Sequence, residues 1–337
     1  MRVLEQELFI QSKYYQKILS IIRLAGGVAR IVGGAVRDAI IAKPNYDVDI
    51  ATNLLPQQII DILSKANIKV IPTGIKYGTV TALIANEKFE ITTLRKDIKC
   101  NGRYAAVSFT DDFYQDAIRR DFTINALSYC PFARKIYDYT GGLEDLSNSR
   151  LVFIGPATER IQEDFLRILR FFRFSCDYAK QLDIIGLNAC IQLKEKLRLL
   201  SKERIKWEMD KLIISNNSPD ILKKMFDNEI LSIILPVTQL NKDALLRAIS
   251  LTDKMDVLKL FARYSLLFYH INNLQLSELL NLKFSRQEAT KIISIIRFIK
   301  TSSQKVTETN LRRIWYENDD YLQYLIILVS LSRIDFG

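Results

Sequence analysis

Asp47 and Asp49 flank Val48, and on an extended strand a spacing of two sets both carboxylates on the same face. Two acids held so close repel each other unless a cation lies between them. Hard oxygen donors suit Mg²⁺, and a pair of such ions activates an attacking hydroxyl while clamping a triphosphate. Alone, the Asp-x-Asp pattern is also ordinary solvated strand surface. Here it stands thirteen residues after Gly34, where an apolar strand, Arg30 to Val32, runs into Gly33-Gly34 and a short helix predicted from near Ala35. Two glycines let the backbone approach an anion closely, the helix start offers N–H groups, and Arg37 adds a charge-assisted contact. Acids and cradle together read as a nucleotidyl-transfer centre with Mg²⁺ as its cofactor. A second strand, Lys88 to Thr93, offers Glu90 either as a third metal carboxylate or as a plain exposed acid.

Two further blocks carry chemistry. In RRDFTINALSY, Arg119, Arg120, Asp121 and Asn125 crowd around Phe122, Ile124 and Leu127. Asp121 is suited to accept from ribose hydroxyls, and the arginines to hold phosphate or the protein's own acids; a structural ion-pair cluster is the other reading. In RIQEDFLRILRFFRF the spacing predicts a helix with Phe165, Ile168, Leu169 and Phe172 on one face and Asp164 and Arg167 three residues apart on another. Such a pair is commonly a surface ion pair. As a template it is specific: Arg only donates and ionised Asp only accepts, which matches the ring-nitrogen acceptor and amine donor of cytosine and adenine. Uracil and guanine present the opposite order.

Other classes of chemistry are excluded or disfavoured by composition. One histidine, His270, cannot build a His-rich zinc site, and its apolar surroundings, Leu266 to Tyr269, predict a core histidine without catalytic function. Cys100, Cys130, Cys176 and Cys190 form no C-x-x-C pair and read as packing residues of a reducing compartment. The N-terminal MRVLEQELFI carries acids where a signal peptide needs bases, and no stretch approaches eighteen apolar residues. A cytoplasmic protein without membrane attachment is therefore expected, as a monomer or weak dimer. A net charge of +10 suits a polyanionic partner.

These residues must be positioned by two kinds of element. Across the 337 residues, helices and short strands alternate up to about residue 150, with turns at Gly26-Gly27, Gly33-Gly34, Pro44-Asn45 and Gly141-Gly142. Beyond Pro156 apolar residues recur at three-to-four spacing, so the remainder is predicted to be helical, with a junction at Asn216 to Pro219. That part also carries most of the excess positive charge.

From about residue 26 to 215 the chain resembles the class II tRNA nucleotidyltransferase and bacterial poly(A) polymerase family, closest to the CCA-adding enzymes. The resemblance rests on GGAVRD with DVD, PTGIKYGTV, FEITTLR, RRDFTINAL, DYTGGLEDL, EDFLR and the weaker ERIKWEMDKL, all in order. It implies an α+β fold: a polymerase-β-like nucleotidyltransferase head over residues 1–150, a base-recognising helical neck over 151–218 and an RNA-binding helical body and tail over 219–337. It implies that Asp47 and Asp49 bind Mg²⁺, that Arg120 and Asp121 contact the ribose, and that Glu163, Asp164 and Arg167, with Arg170 a turn further, read the incoming base. Asp138, Gly142 and Asp145 match the family's hinge-like motif. The implied activity is template-independent addition of CCA to tRNA 3′ ends from CTP and ATP, releasing pyrophosphate. Alternatives are poly(A) addition to RNA, or A addition alongside a separate CC-adding enzyme. Tyr77 departs from a common histidine and Tyr104-Ala105 from a frequent His-Pro; neither is a metal ligand.

Overall fold

The computed structural model describes residues 13–44, 48–85, 87–101, 104–252 and 256–302. Two compact units divide the chain, Met1–Asp164 and Phe165–Gly337.

In the first unit, β1 (Ala29–Val32), β2 (Asp49–Thr52), β3 (Lys69–Gly74), β4 (Thr79–Ile84), β5 (Glu87–Thr93), β8 (Ser128–Cys130) and β9 (Lys135–Tyr137) form one sheet in the order β3-β4-β5-β2-β1-β8-β9. Among the described residues its only parallel pair is β2 with β5. β6 (Arg95–Asn101) and β7 (Tyr104–Phe109) pair separately as a hairpin. Alternation along the strands decides which face is covered. Ala29, Ile50, Val80, Ala82, Phe89 and Ile91 face a core completed by Tyr15, Ile18, Leu19 and Ile22 of α1 (Lys13–Leu24) and by Ile59 and Leu63 further along. Each such aliphatic side chain contributes about 1.5 to 3 kcal/mol by leaving water.

α2 (Gly34–Ile40) follows β1 directly, and α3 (Pro56–Lys65) supplies Ile59 and Leu63. On the opposite face Val32 and Ala51 pack with Leu94 and with Phe113 of α4 (Phe113–Ile118), a helix whose N-cap Asp112 accepts from the Tyr114 N–H at 2.8 Å. α5 (Gly142–Ser147) and α6 (Ala157–Glu163) complete the unit. The segment beyond residue 150 is tied into it: Thr123 N–H donates to the Val152 carbonyl at 3.0 Å, Ile154 N–H to the Asp121 carbonyl at 3.0 Å, and the Phe122 and Phe153 rings lie 4.8 Å apart.

The second unit is helical throughout its described residues: α7 (Leu166–Tyr178), α8 (Ile184–Leu193), a 3₁₀ turn (Lys194–Leu199), α9 (Lys202–Ile214), α10 (Ser218–Asp227), α11 (Ile230–Ile234), α12 (Lys242–Thr252), α13 (Asp256–Phe268), α14 (Leu276–Asn281) and α15 (Arg286–Ser302). α7 packs on α9. Arg263, fully buried on α13, donates to the carbonyls of Ile213 at 2.6 Å and Ser215 at 2.8 Å, so a cation closes the C-terminal end of α9. The chain breaks at Asn216–Asn217 as its composition predicts, inside this unit. His270 corrects the sequence reading. It is half-buried, past the end of α13, with its ring edge-on to Tyr269, because the apolar run ahead of it belongs to a helix that has already finished. Partial burial lowers its imidazole below the ordinary 6.5, and Lys300 adds to that. Cys130, Cys176 and Cys190 are free thiols. No described helix is long and apolar enough to cross a membrane.

Candidate active site

The antiparallel register Val32↔Asp49 sets the first residue of β2 against the last residue of β1, so the acid and the glycine turn emerge at the same edge of the sheet. Asp49 is exposed, whereas Ile50 next to it is fully buried on the helix-covered side. In the parallel ladder Ile50↔Ile91, one step back brings Glu90 beside Asp49, both on the face opposite the two isoleucines. Glu90 is likewise exposed. Asp47 lies outside the described residues, and among those described no group of three ligating side chains forms a metal cluster. Two exposed carboxylates side by side, with a third acid two positions before Asp49 in sequence, are a donor set of the hard oxygen kind that fits Mg²⁺.

Gly33 enters α2 with φ of 72°, a left-handed conformation that glycine adopts without cost, and its N–H donates to the Leu127 carbonyl at 2.9 Å. A Cβ there would stand 3.0 Å from Arg120 Nη1 and 3.7 Å from the Asn125 carbonyl oxygen, so the glycine lets the RRDFTIN segment close over the turn. Gly34 opens the helix. Arg37 does not face the open cradle. Buried on α2, its guanidinium donates to both oxygens of Asp38, at 2.8 and 3.0 Å, and to Asn125 Oδ1. Asn125 in turn donates to Asp121 Oδ1 at 3.0 Å, and the same oxygen accepts from the Phe122 N–H at 2.9 Å. Arg120 Nη1 donates to the Asn125 carbonyl at 3.3 Å. Arg37, Arg120, Asp121 and Asn125 are thus one network behind the glycine turn.

Asp116 is the member that the sequence reading missed. Only 4% exposed, it pairs with Arg119 at 2.7 Å and Arg120 at 3.0 Å. Burial alone would raise its pKa; the two guanidiniums outweigh that and hold the carboxyl below the ordinary aspartate value. The structure shows the ion-pair reading of the arginine block: Asp116 pairs with Arg119 and Arg120, and Arg120 is oriented against the turn. The signal was present in the sequence, because Asp116, Arg119 and Arg120 stand at i, i+3 and i+4.

Two motifs brace this network. Asp138 accepts from the N–H groups of Thr140, Gly142 and Leu143 at 3.1, 3.0 and 2.9 Å, fixing the entry to α5. A Cβ on Gly142 would lie 2.3 Å from the Thr123 carbonyl oxygen, and Thr123 Oγ1 donates to buried Asp145 at 2.7 Å. Asp145 also meets Arg150 at 2.7 Å. The sequence-predicted hinge residues thus grip the turn Thr123–Asn125. Glu163 accepts from Arg160 at 2.6 Å, and Arg160 donates to the carbonyls of Arg119 and Arg120, each at 2.6 Å. Asp164 is not on a helix with Arg167, as its spacing predicted. It is extended, φ −154° and ψ 109°, between α6 and α7, and is the last residue of the first unit. Arg167 and Arg170 lie on α7 in the second unit. Apolar periodicity runs through EDFLR without a glycine or proline, so it does not reveal this break.

Comparison with known proteins gives this geometry a lineage. The pattern described as "Poly A polymerase head domain" matches residues 29–152, and "Probable RNA and SrmB-binding site of polymerase A" matches residues 187–240. Human mitochondrial CCA tRNA nucleotidyltransferase 1 is 41% identical over 208 residues, 60% of this chain and 47% of that protein, so the chain spans about half the length of that relative. A CCA-adding enzyme of Staphylococcus aureus is 30% identical over 321 residues, 95% of this chain and 76% of its own length. The crystal structure of Bacillus stearothermophilus CCA-adding enzyme in complex with CTP superposes with a TM-score of 0.80 at 25% identity, covering 99% of this chain and 80% of that one. With a mixed-sheet head, a helical remainder and the acid-and-glycine edge between β1 and β2, the chain belongs to the family of CCA-adding tRNA nucleotidyltransferases and poly(A) polymerases.

Proposed function

We propose that this protein adds nucleotides to the 3′ end of tRNA, completing CCA from CTP and ATP without a nucleic-acid template and releasing pyrophosphate. The observation that carries this reading is the pairing of Val32 with Asp49, which places a metal-binding type of acid beside a glycine turn backed by the Arg120–Asp121–Asn125 network. The names of the relatives and the CTP in the Bacillus complex support the choice of substrates. Asp49, with Asp47 and Glu90, would hold Mg²⁺, whose chemistry when bound is to acidify the attacking 3′-hydroxyl and neutralise triphosphate charge. The protein's own residues do the rest. Gly33 and Gly34 let the backbone approach the triphosphate. Asp121 and Asn125 face the ribose hydroxyls, their side chains fixed by Arg37 and the Phe122 amide. Asp164 and Arg167 read the base, Arg167 donating to cytosine N3 or adenine N1 and Asp164 accepting from the adjacent amine.

The test is Asp49→Ala. Its side chain is exposed and packs no core, so the variant should melt within about 1 kcal/mol of wild type while incorporation of labelled CMP and AMP into tRNA falls by at least three decades. Wild-type turnover by the variant would remove this edge of the sheet from the reaction.

A further inference from the structure

Trp207 stands 51% exposed on α9, although an indole gains much from burial. Cations frame its ring. Lys211, one turn along the helix, places Nζ 3.6 Å from the ring centroid, and the guanidinium of Arg173 on α7 lies 5.5 Å away. Arg173 also covers the Phe174 ring at 4.2 Å, and Arg170 approaches that ring at 5.1 Å. Beneath them Glu208, 1% exposed, meets Arg173 at 3.0 Å and Arg170 at 3.7 Å. One buried carboxylate thus holds two guanidiniums against the rings. A half-exposed indole with a cation over its ring and others nearby is an arrangement that binds unpaired nucleic acid: a base takes the ammonium's place on the ring and its phosphates meet the cations. Arg167 lies on the same helix as Arg170, Arg173 and Phe174. α9 also falls within the stretch that matches the RNA-binding pattern.

We propose that Trp207 is a stacking platform for an unpaired base of the RNA strand, upstream of the nucleotide being added. The proposal rests on the reading of the chain as an RNA 3′-end nucleotidyltransferase. The competing reading is a surface Lys–Trp pair one helical turn apart, with no ligand. The full-length protein should be titrated into fluorescein-labelled tRNA that ends in its unpaired discriminator base, and into the same tRNA trimmed to a blunt acceptor stem. Trp207→Ala should weaken binding to the first RNA roughly tenfold and to the blunt RNA less than twofold. Trp207→Phe, which keeps a π face, should retain affinity within about threefold. The slope of log K against log salt should not change, because no phosphate contact is removed. Circular dichroism establishes that both variants fold. Wild-type affinity of Trp207→Ala for both RNAs would overturn the proposal and leave the patch to a protein partner; equal loss on both RNAs would also overturn it. Failure of the transferase reading is separable. If wild type incorporates no nucleotide yet shows the Trp207-dependent preference for the overhang, only that reading falls.

Discussion

Asp116 decides how well Arg120 is held, and its chemistry makes a pH-dependent claim. Its folded-state pKa is depressed, because two arginines more than offset the cost of burial. A depressed carboxylate contributes stability that is present above its unfolded pKa and lost as the pH falls through the folded value. Asp116→Asn should therefore cost roughly 2 to 3 kcal/mol near pH 7, by leaving Arg119 and Arg120 without their shared acceptor. In urea melts the gap between wild type and variant should narrow as the pH drops below the ordinary aspartate range; a gap independent of pH would contradict the assignment. Arg37 shows what residue types alone hide. Its charge and its place after two glycines suggest a phosphate ligand, but it forks onto the adjacent Asp38, a pairing that helical spacing rules do not anticipate, and orients Asn125 instead. Asp49 and Glu90 were legible, since a period of two and an apolar neighbour on each strand suffice to put both on one face.

At the scale of elements, short-range pattern carried most of the first unit. The strand into Gly33-Gly34, the helix after it and the FEITT strand all form within one residue of the positions that the alternation predicts. The break at Asp164 was not legible, because Arg160 is fixed by carbonyls some forty residues distant, and that tertiary tie leaves no local mark. Under the proposed function, Asp164 and Arg167 carry base choice. Asp164→Ala should cost one to two decades of selectivity for CTP and ATP over UTP and GTP in single-turnover assays, and Arg167→Ala at least as much. Parental selectivity in both would place base reading elsewhere. α5 gives a second claim. Any Cβ at residue 142 meets the Thr123 carbonyl, so Gly142→Ala should destabilise the protein by about 1 to 3 kcal/mol and slow incorporation of both nucleotides. An unchanged melting temperature with full activity would show that the grip on Thr123 is dispensable.

On the scale of the whole molecule, the chain joins a sheet-built unit that carries acids and glycine turn to a helical unit that carries Arg167 and most of the excess positive charge. The fold class was readable from the change of period near residue 150, whereas the unit boundary falls at Asp164, because residues 152–154 bond back to Asp121 and Thr123. Stepwise growth of a defined 3′ end is what separates CCA addition from its relatives in this family. The most direct measurement supplies the purified protein and Mg²⁺ with three tRNAs, ending at the discriminator base, after one C and after two, each with CTP alone, ATP alone or both, and resolves the products at single-nucleotide length. Extension that stops at CC with CTP alone, adds A only to the primer already ending in CC, and halts at CCA with both is the predicted result. No extension on any primer, or continued A addition on every primer, would contradict it.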